Sequence, residues 1–281
     1  PFWFLLFSTI LNILLDLFCI LVLDWGVAGA AIATVFSQGV SAVLCYGYMM
    51  RRFDILRGTP DERKFNGALA RRLMYIGVPM GLQFSITAIG SIMLQSANNA
   101  LGTACVAAFT AAMRIKMFFL TPLESLGIAM ATYAGQNYGA GKYHRMRKSV
   151  RVCMVMAYIS AFIVSGALIL FANPIYHLFT TDQVVVDIGV HMIRFLIPSY
   201  AIYVVIGILS GALRGAGRVL VPMILTCGGV CLLRIIWLFA FVRSHPGIDS
   251  IMLSYPVSWI ITAVLFVIYY FRRFPGMQKK K

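Results

Sequence analysis

Charge is what this sequence of 281 residues has least of: charged residues make up 12% of it, and only nine residues are acidic. A soluble globular domain carries about 25% charged residues and about half apolar ones. Here the apolar set reaches 60%. The shortage excludes a soluble enzyme and a disordered tail. The same composition excludes a disulfide scaffold, and the six cysteines include no C-x-x-C pair. Cys227 and Cys231 share one helix face and read as small buried thiols. The four histidines, His144, His177, His191 and His245, show no metal-ligand spacing. No nucleophile constellation stands out. Gly135–Lys142 looks superficially like a phosphate loop, but Gln136 and Tyr143 break that pattern. The chain opens at Pro1, with no Met and no secretory leader. Its first apolar run begins at once, so a cut N-terminus is expected.

What is present is length of apolar run. A bilayer core of ~30 Å needs ~20 apolar residues per helix. Eight stretches qualify, roughly 1–23, 27–50, 75–98, 104–134, 149–172, 189–213, 220–243 and 251–271. They are long and lack the period-two alternation of membrane strands. The expected fold is therefore an all-α, polytopic membrane helix bundle.

The net charge of +15 comes from 24 Lys and Arg. Nucleic-acid binding needs a polar basic surface, and these residues instead sit in short gaps between apolar runs. Nineteen of them lie in the tail and in the gaps after the second, fourth and sixth spans. The opposite gaps hold Arg243 alone. That bias predicts that both termini of this chain are cytoplasmic. Arg194, near the outer end of its span, is expected to snorkel. The gap 51–74 contains a turn, Gly58-Thr59-Pro60-Asp61. Phe65, Leu69 and Leu73 follow at helical spacing, which suggests an amphipathic helix on the inner leaflet or a connector.

The chain also repeats itself. At an offset of 221, Pro1–Phe53 lies on Pro222–Phe274 without a gap, with 13 of 53 residues identical. The matches include Pro1/Pro222, Gly26/Gly247, Ser37/Ser258 and Arg51-Arg52-Phe53/Arg272-Arg273-Phe274. Both copies are hairpins of the same orientation. The last six spans end in this hairpin and the first two are the same hairpin. Residues 1–50 are therefore expected to be the last two helices of an N-terminal lobe, residues 51–74 a cytoplasmic linker, and residues 75–281 a complete six-helix C-terminal lobe with a cytoplasmic tail. Four helices upstream of Pro1 would complete the first lobe. Transporters are often built from such repeats.

Asn12 and Asp16 are four apart and share a helix face. A carboxylate at membrane depth is a functional candidate by default, against the plainer reading of a hydrogen bond between helices. Na⁺ suits carboxylate, amide and hydroxyl oxygens; a proton needs a carboxylate whose neutral form burial favours. Arg114, Lys116 and Glu124 lie in or near the fourth span, where Pro122 is placed to kink the helix. They read as lining of a substrate cavity or as anion contacts, or else as interhelical salt bridges and snorkelling chains. Arg234, midway along its span, has the same two readings. Gln83, Gln95, Asn98 and Asn99 either face a cavity or tie helices together.

Three segments resemble a known family: Ser210-Gly-Ala-Leu-Arg-Gly-Ala-Gly217 before Pro222, Gly135-Gln-Asn-Tyr-Gly-Ala-Gly-Lys142, and the hairpin Ile10–Asp16 with Trp25-Gly-Val-Ala-Gly-Ala-Ala-Ile-Ala-Thr34. Together they are similar to the multidrug and toxic compound extrusion (MATE) transporters, from the fifth of twelve helices to the end. The resemblance implies a Na⁺- or H⁺-coupled antiporter exporting amphipathic or cationic drugs by alternating access. It implies no enzyme, no cofactor beyond the coupling ion, and a multi-pass place in the plasma (inner) membrane. Its partners would be small-molecule substrates, membrane lipids and the upstream helices, with no nucleic acid. It puts Asn12, Asp16 and Thr34 in a coupling site in the first lobe. A second-lobe site of one family branch falls on Thr87 and Tyr203, neither a carboxylate. A related flippase exporting lipid-linked oligosaccharide or polysaccharide is the alternative, since Arg114, Lys116 and Arg234 would suit a pyrophosphate. An intramembrane enzyme would need His, Asp or Ser clustered at one depth, which the sequence lacks.

Overall fold

A chain crossing lipid must satisfy its backbone N–H and C=O groups within each segment, so long apolar runs become helices. The computed structural model describes residues 2–54, 65–245 and 247–273, and every regular element among them is helical. In chain order they are α1 (Phe2–Val22), α2 (Gly26–Arg52), α3 (Gly67–Asn99), α4 (Thr103–Gly139), α5 (Tyr143–Leu170), the short α6 (Ala172–His177), α7 (Gln183–Gly215), α8 (Leu220–Val242) and α9 (Ile248–Arg273). Seven are long and apolar enough to cross a membrane. The two halves of α4, Thr103–Phe118 and Leu120–Gly139, meet at 41° and make an eighth crossing. Pro122 explains the bend: it lacks an N–H, and its ring crowds the carbonyl of Phe118 one turn earlier.

All eight apolar runs correspond to helices, most of them longer at one or both ends than the run itself. The separate amphipathic helix expected near Phe65, Leu69 and Leu73 is instead the start of α3. The Asn66 side chain accepts from the N–H groups of Ala68 and Leu69 at 3.0 and 3.2 Å, and the helix then runs unbroken to Asn99. The turn Gly58–Asp61 lies outside the described residues.

The chain divides into two compact units, Pro1–Ala70 and Arg71–Lys281. The first is built on the α1–α2 hairpin. Ser8 donates to the carbonyl of Ser37 at 2.7 Å and Ser41 to that of Phe4 at 3.3 Å. Asp24 and Gly26, both at positive φ, reverse the chain between them.

In the second unit α4 and α7 run side by side on a seam of small residues. A Cβ added at Gly211 would strike the backbone of Gly127, and one added at Gly215 the backbone of Ala131 and Gly135. Such close approach of backbones is how helices pack where no hydrophobic force drives them together. Both helices end alike. Gly141 (φ 69°) and Gly217 (φ 77°) are left-handed, with Lys142 N–H bonding Asn137 and Arg218 N–H bonding Leu213. This is the glycine C-cap that satisfies the last carbonyls of a helix. Of the six glycines in segments 135–142 and 210–217, all but Gly139 are thus accounted for by one seam and two caps.

The repeat is visible in the bonding. Ser37 donates to Thr34 O at 3.0 Å in the first hairpin, and Ser258 to Tyr255 O at 2.9 Å in α9. Near its end α1 widens into a π turn at Phe18–Val22, and α8 does so at Leu238–Val242. One difference matters for the site. α8 carries a further π turn at Cys227–Leu232, just before Arg234, and α1 has none at that place.

Candidate functional site

The first hairpin holds one polar cluster. Thr34 of α2 donates to Ala30 O at 2.9 Å and accepts from the Asn12 amide of α1 at 3.4 Å. Asp16 follows Asn12 by one turn, on the same face. Its Oδ1 is buried with no hydrogen-bond partner. Asp16 as a whole is half-buried, but this oxygen is cut off from solvent without a partner and is chemically unfinished. A bound cation or a proton is what would complete it. The hairpin brings Asn12 and Thr34 together, and Asp16 lies one turn further along α1, its Oδ1 bonded to neither.

The second unit holds a cluster of opposite charge. Arg234 of α8 is 9% exposed. Its Nε donates to Ser258 Oγ at 3.0 Å, and its guanidinium lies 4.1 Å from the centre of the Tyr255 ring and 5.5 Å from that of Trp259. Lys116 of α4 lies over the same Tyr255 ring at 5.2 Å. Tyr200 and Tyr203 of α7 pack their rings on Trp259 at 5.1 and 5.4 Å. Four helices therefore meet around two cations.

The other expected positions separate. Glu124 is exposed, yet its charge acts on Lys116 and Tyr203. Arg114 is exposed and takes no part in the cluster. Gln83 is half-buried; its carbonyl accepts from Thr87, whose hydroxyl faces Cys231 at 3.8 Å. Gln95 is bonded along its own helix to Asn99 at 3.2 Å. Asn98 is fully enclosed and ties the α3–α4 junction by donating to Cys105 O at 3.3 Å. Tyr255, Ser258 and Trp259 were not foreseen. The repeat carries their signal: at the offset of 221, Tyr255 falls on Thr34 and Ser258 on Ser37.

Residues 77–239, more than half the chain, match the family model MatE. The chain belongs to the MatE family. Among MatE relatives it is 26% identical over 282 residues to a probable multidrug resistance protein, YoeA, of Bacillus subtilis, covering 96% of this chain and 60% of YoeA. It is 23% identical to a probable multidrug resistance protein, NorM, of Thermotoga maritima, over 78% of this chain and 47% of that one. The fold matches an outward-facing multidrug resistance MATE family transporter with a TM-score of 0.88 at 22% identity, over 97% of this chain and 62% of that structure. It also matches a MOP superfamily transporter from Pyrococcus furiosus at 0.89 and 22%. The chain thus spans about 60% of the length of the first relatives it matches. It is a multi-pass membrane chain from a family of transporters, not of enzymes.

Proposed function

We propose that this chain forms part of a cation-coupled antiporter that exports amphipathic or cationic compounds by alternating access, in the plasma (inner) membrane with both its termini cytoplasmic. Family membership supports the transport class. The observation that carries the coupling is the partnerless Oδ1 of Asp16, one turn from Asn12, whose amide reaches Thr34.

In this reading Asp16 holds the coupling ion, Na⁺ or H⁺, and Asn12 and Thr34 orient the face on which it sits. Binding the ion neutralises a half-buried charge. Shapes that expose and enclose Asp16 then differ in free energy by an amount that depends on the ion, which any shift of a conformational equilibrium requires. Amide and hydroxyl oxygens complete a Na⁺ shell; for a proton they hydrogen-bond the neutral carboxyl group. The flippase alternative is not favoured, because most of the relatives carry multidrug-resistance or multidrug-export names.

The test is efflux of a fluorescent cationic dye from vesicles carrying the intact protein. An imposed inward Na⁺ or H⁺ gradient should drive dye out, and collapsing that gradient should stop it. Dye movement indifferent to both gradients would overturn the coupling.

A further inference from the structure

The second hairpin places an arginine where its sequence counterpart in the first hairpin is a lipid-type residue. At the offset of 221, Arg234 falls on Ile13, yet it is Arg234 that meets Tyr255, whereas in the first hairpin Asn12, one residue earlier, meets the counterpart position Thr34. The additional π turn at Cys227–Leu232 supplies the cause. A π turn advances the chain around the helix axis by less per residue than an α turn, so the residues after it swing to a new face. Arg234 is thereby turned inward onto α9.

What it meets there is incomplete. Ser258 takes Nε, and the rings of Tyr255 and Trp259 face the guanidinium. Nη2 is buried and has no partner. Aromatic faces attract a cation, but they do not accept a hydrogen bond as an oxygen does. Lys116 brings a second positive charge to the same ring, and the Arg234 charge acts on it. Among the described residues neither cation has a carboxylate within ion-pairing distance; the pair that forms there joins His191 and Asp249 at 2.8 Å, on exposed side chains. Glu124 acts on Lys116 from an exposed position without pairing with it. Two close cations in a low-dielectric interior with one N–H group unmet call for a negative partner.

We propose that Arg234 and Lys116 form a binding site for a monovalent anion, a halide ion or the carboxylate of a ligand, held between α4, α8 and α9. The anion accepts from Nη2 of Arg234, relieves the repulsion between the two cations, and lies against the Tyr255 ring edge, where an aromatic ring is positive. The two hairpins then carry opposite charges: a carboxylate that needs a cation in the first, a guanidinium that needs an anion in the second. This site does not depend on the transport reading, and its test measures binding alone.

The experiment is a titration of the intact protein in detergent with sodium chloride, bromide, acetate or benzoate. Sodium concentration and ionic strength are held constant with the sodium salt of a bulky sulfonate. Tryptophan emission is the readout, since Trp259 faces the guanidinium, and the thermal midpoint is followed in parallel. A saturable emission change and a rise in midpoint are expected. Arg234→Gln should weaken both by at least about tenfold, the scale of one charge-assisted hydrogen bond. Lys116→Gln should weaken them less. Tighter binding of chloride and bromide than of either carboxylate identifies an inorganic ion; tighter binding of benzoate identifies the acidic group of a larger ligand. If Arg234→Gln does not yield folded protein, Lys116→Gln decides, with monodispersity as the check. No saturable response in the folded wild type, or an unchanged affinity in a folded variant, overturns the site and leaves Arg234 with Ser258 and the aromatic rings alone.

Discussion

Gly211 of α7 rests against the backbone carbonyl of Gly127 on α4, with no room for a methyl group between them. Gly207, one turn earlier on α7, has open space around the same position. The two make a matched pair. Gly211→Ala should destabilise the protein by about 1–3 kcal/mol through overpacking. Gly207→Ala should be neutral or stabilising, since alanine is the better helix former by up to about 1 kcal/mol. Thermal unfolding in one detergent checks both; equal midpoints would mean that α4 and α7 are not held by this seam.

Tyr176 gives a second pair. Its side chain is fully buried and its hydroxyl donates to Ala108 O at 3.0 Å. Tyr176→Phe keeps the ring and loses one hydrogen bond, so a cost of about 1 kcal/mol is expected. Gly189 lies against the face of that ring with no space for a Cβ. Gly189→Ala should therefore cost more than Tyr176→Phe in the same melt.

Asp16→Asn is nearly isosteric and keeps hydrogen bonding. If Asp16 served only to join helices, asparagine would do so almost as well, since such bonds average about 0.6 kcal/mol in membrane proteins. The expected result is loss of gradient-driven efflux at matched protein level and unchanged melting. Wild-type efflux in the Asn variant would place the coupling elsewhere.

The charge bias of the loops predicts sidedness. Lys142→Cys, after α4, should react with an impermeant thiol reagent added to inside-out vesicles. Thr181→Cys, between α6 and α7, should react only in right-side-out cells. The reverse pattern would invert the orientation of every span.

Much of this architecture was open to reading from residue types alone. Run length is enough for a membrane helix, because lipid offers its backbone no other partner. The repeat and the basic loops then order the helices. Proline 122 announces its bend. What the helical wheel does not carry is the aim of Arg234: the wheel assumes 100° per residue, and the π turn at Cys227–Leu232 breaks that count just before it. Asn98 shows a second limit. Its polarity is evident, but its complete enclosure at the α3–α4 junction depends on a tight turn at Gly102, whose φ of 99° no periodicity shows. Likewise the helical spacing of Leu69 and Leu73 is legible, but its continuity with the apolar run of α3 is not, because Arg71 and Arg72 separate the two until the Asn66 cap and the unbroken helix are seen.

The seam and the proline also divide α4 mechanically. From Gly127 to Gly135 the helix is clamped to α7 backbone against backbone, and its end is fixed by the Gly141 cap. Pro122 lies before the clamp, and Thr103–Phe118 leaves it at an angle. The arm beyond the proline, which includes Arg114 and Lys116, is held at other points, by Asn98 on Cys105 O and by Tyr176 on Ala108 O. Any tilt of that arm about Pro122 moves the Lys116 ammonium relative to Arg234, which stands on a different helix. The spacing of the two charges is therefore tied to the angle of α4 at Pro122.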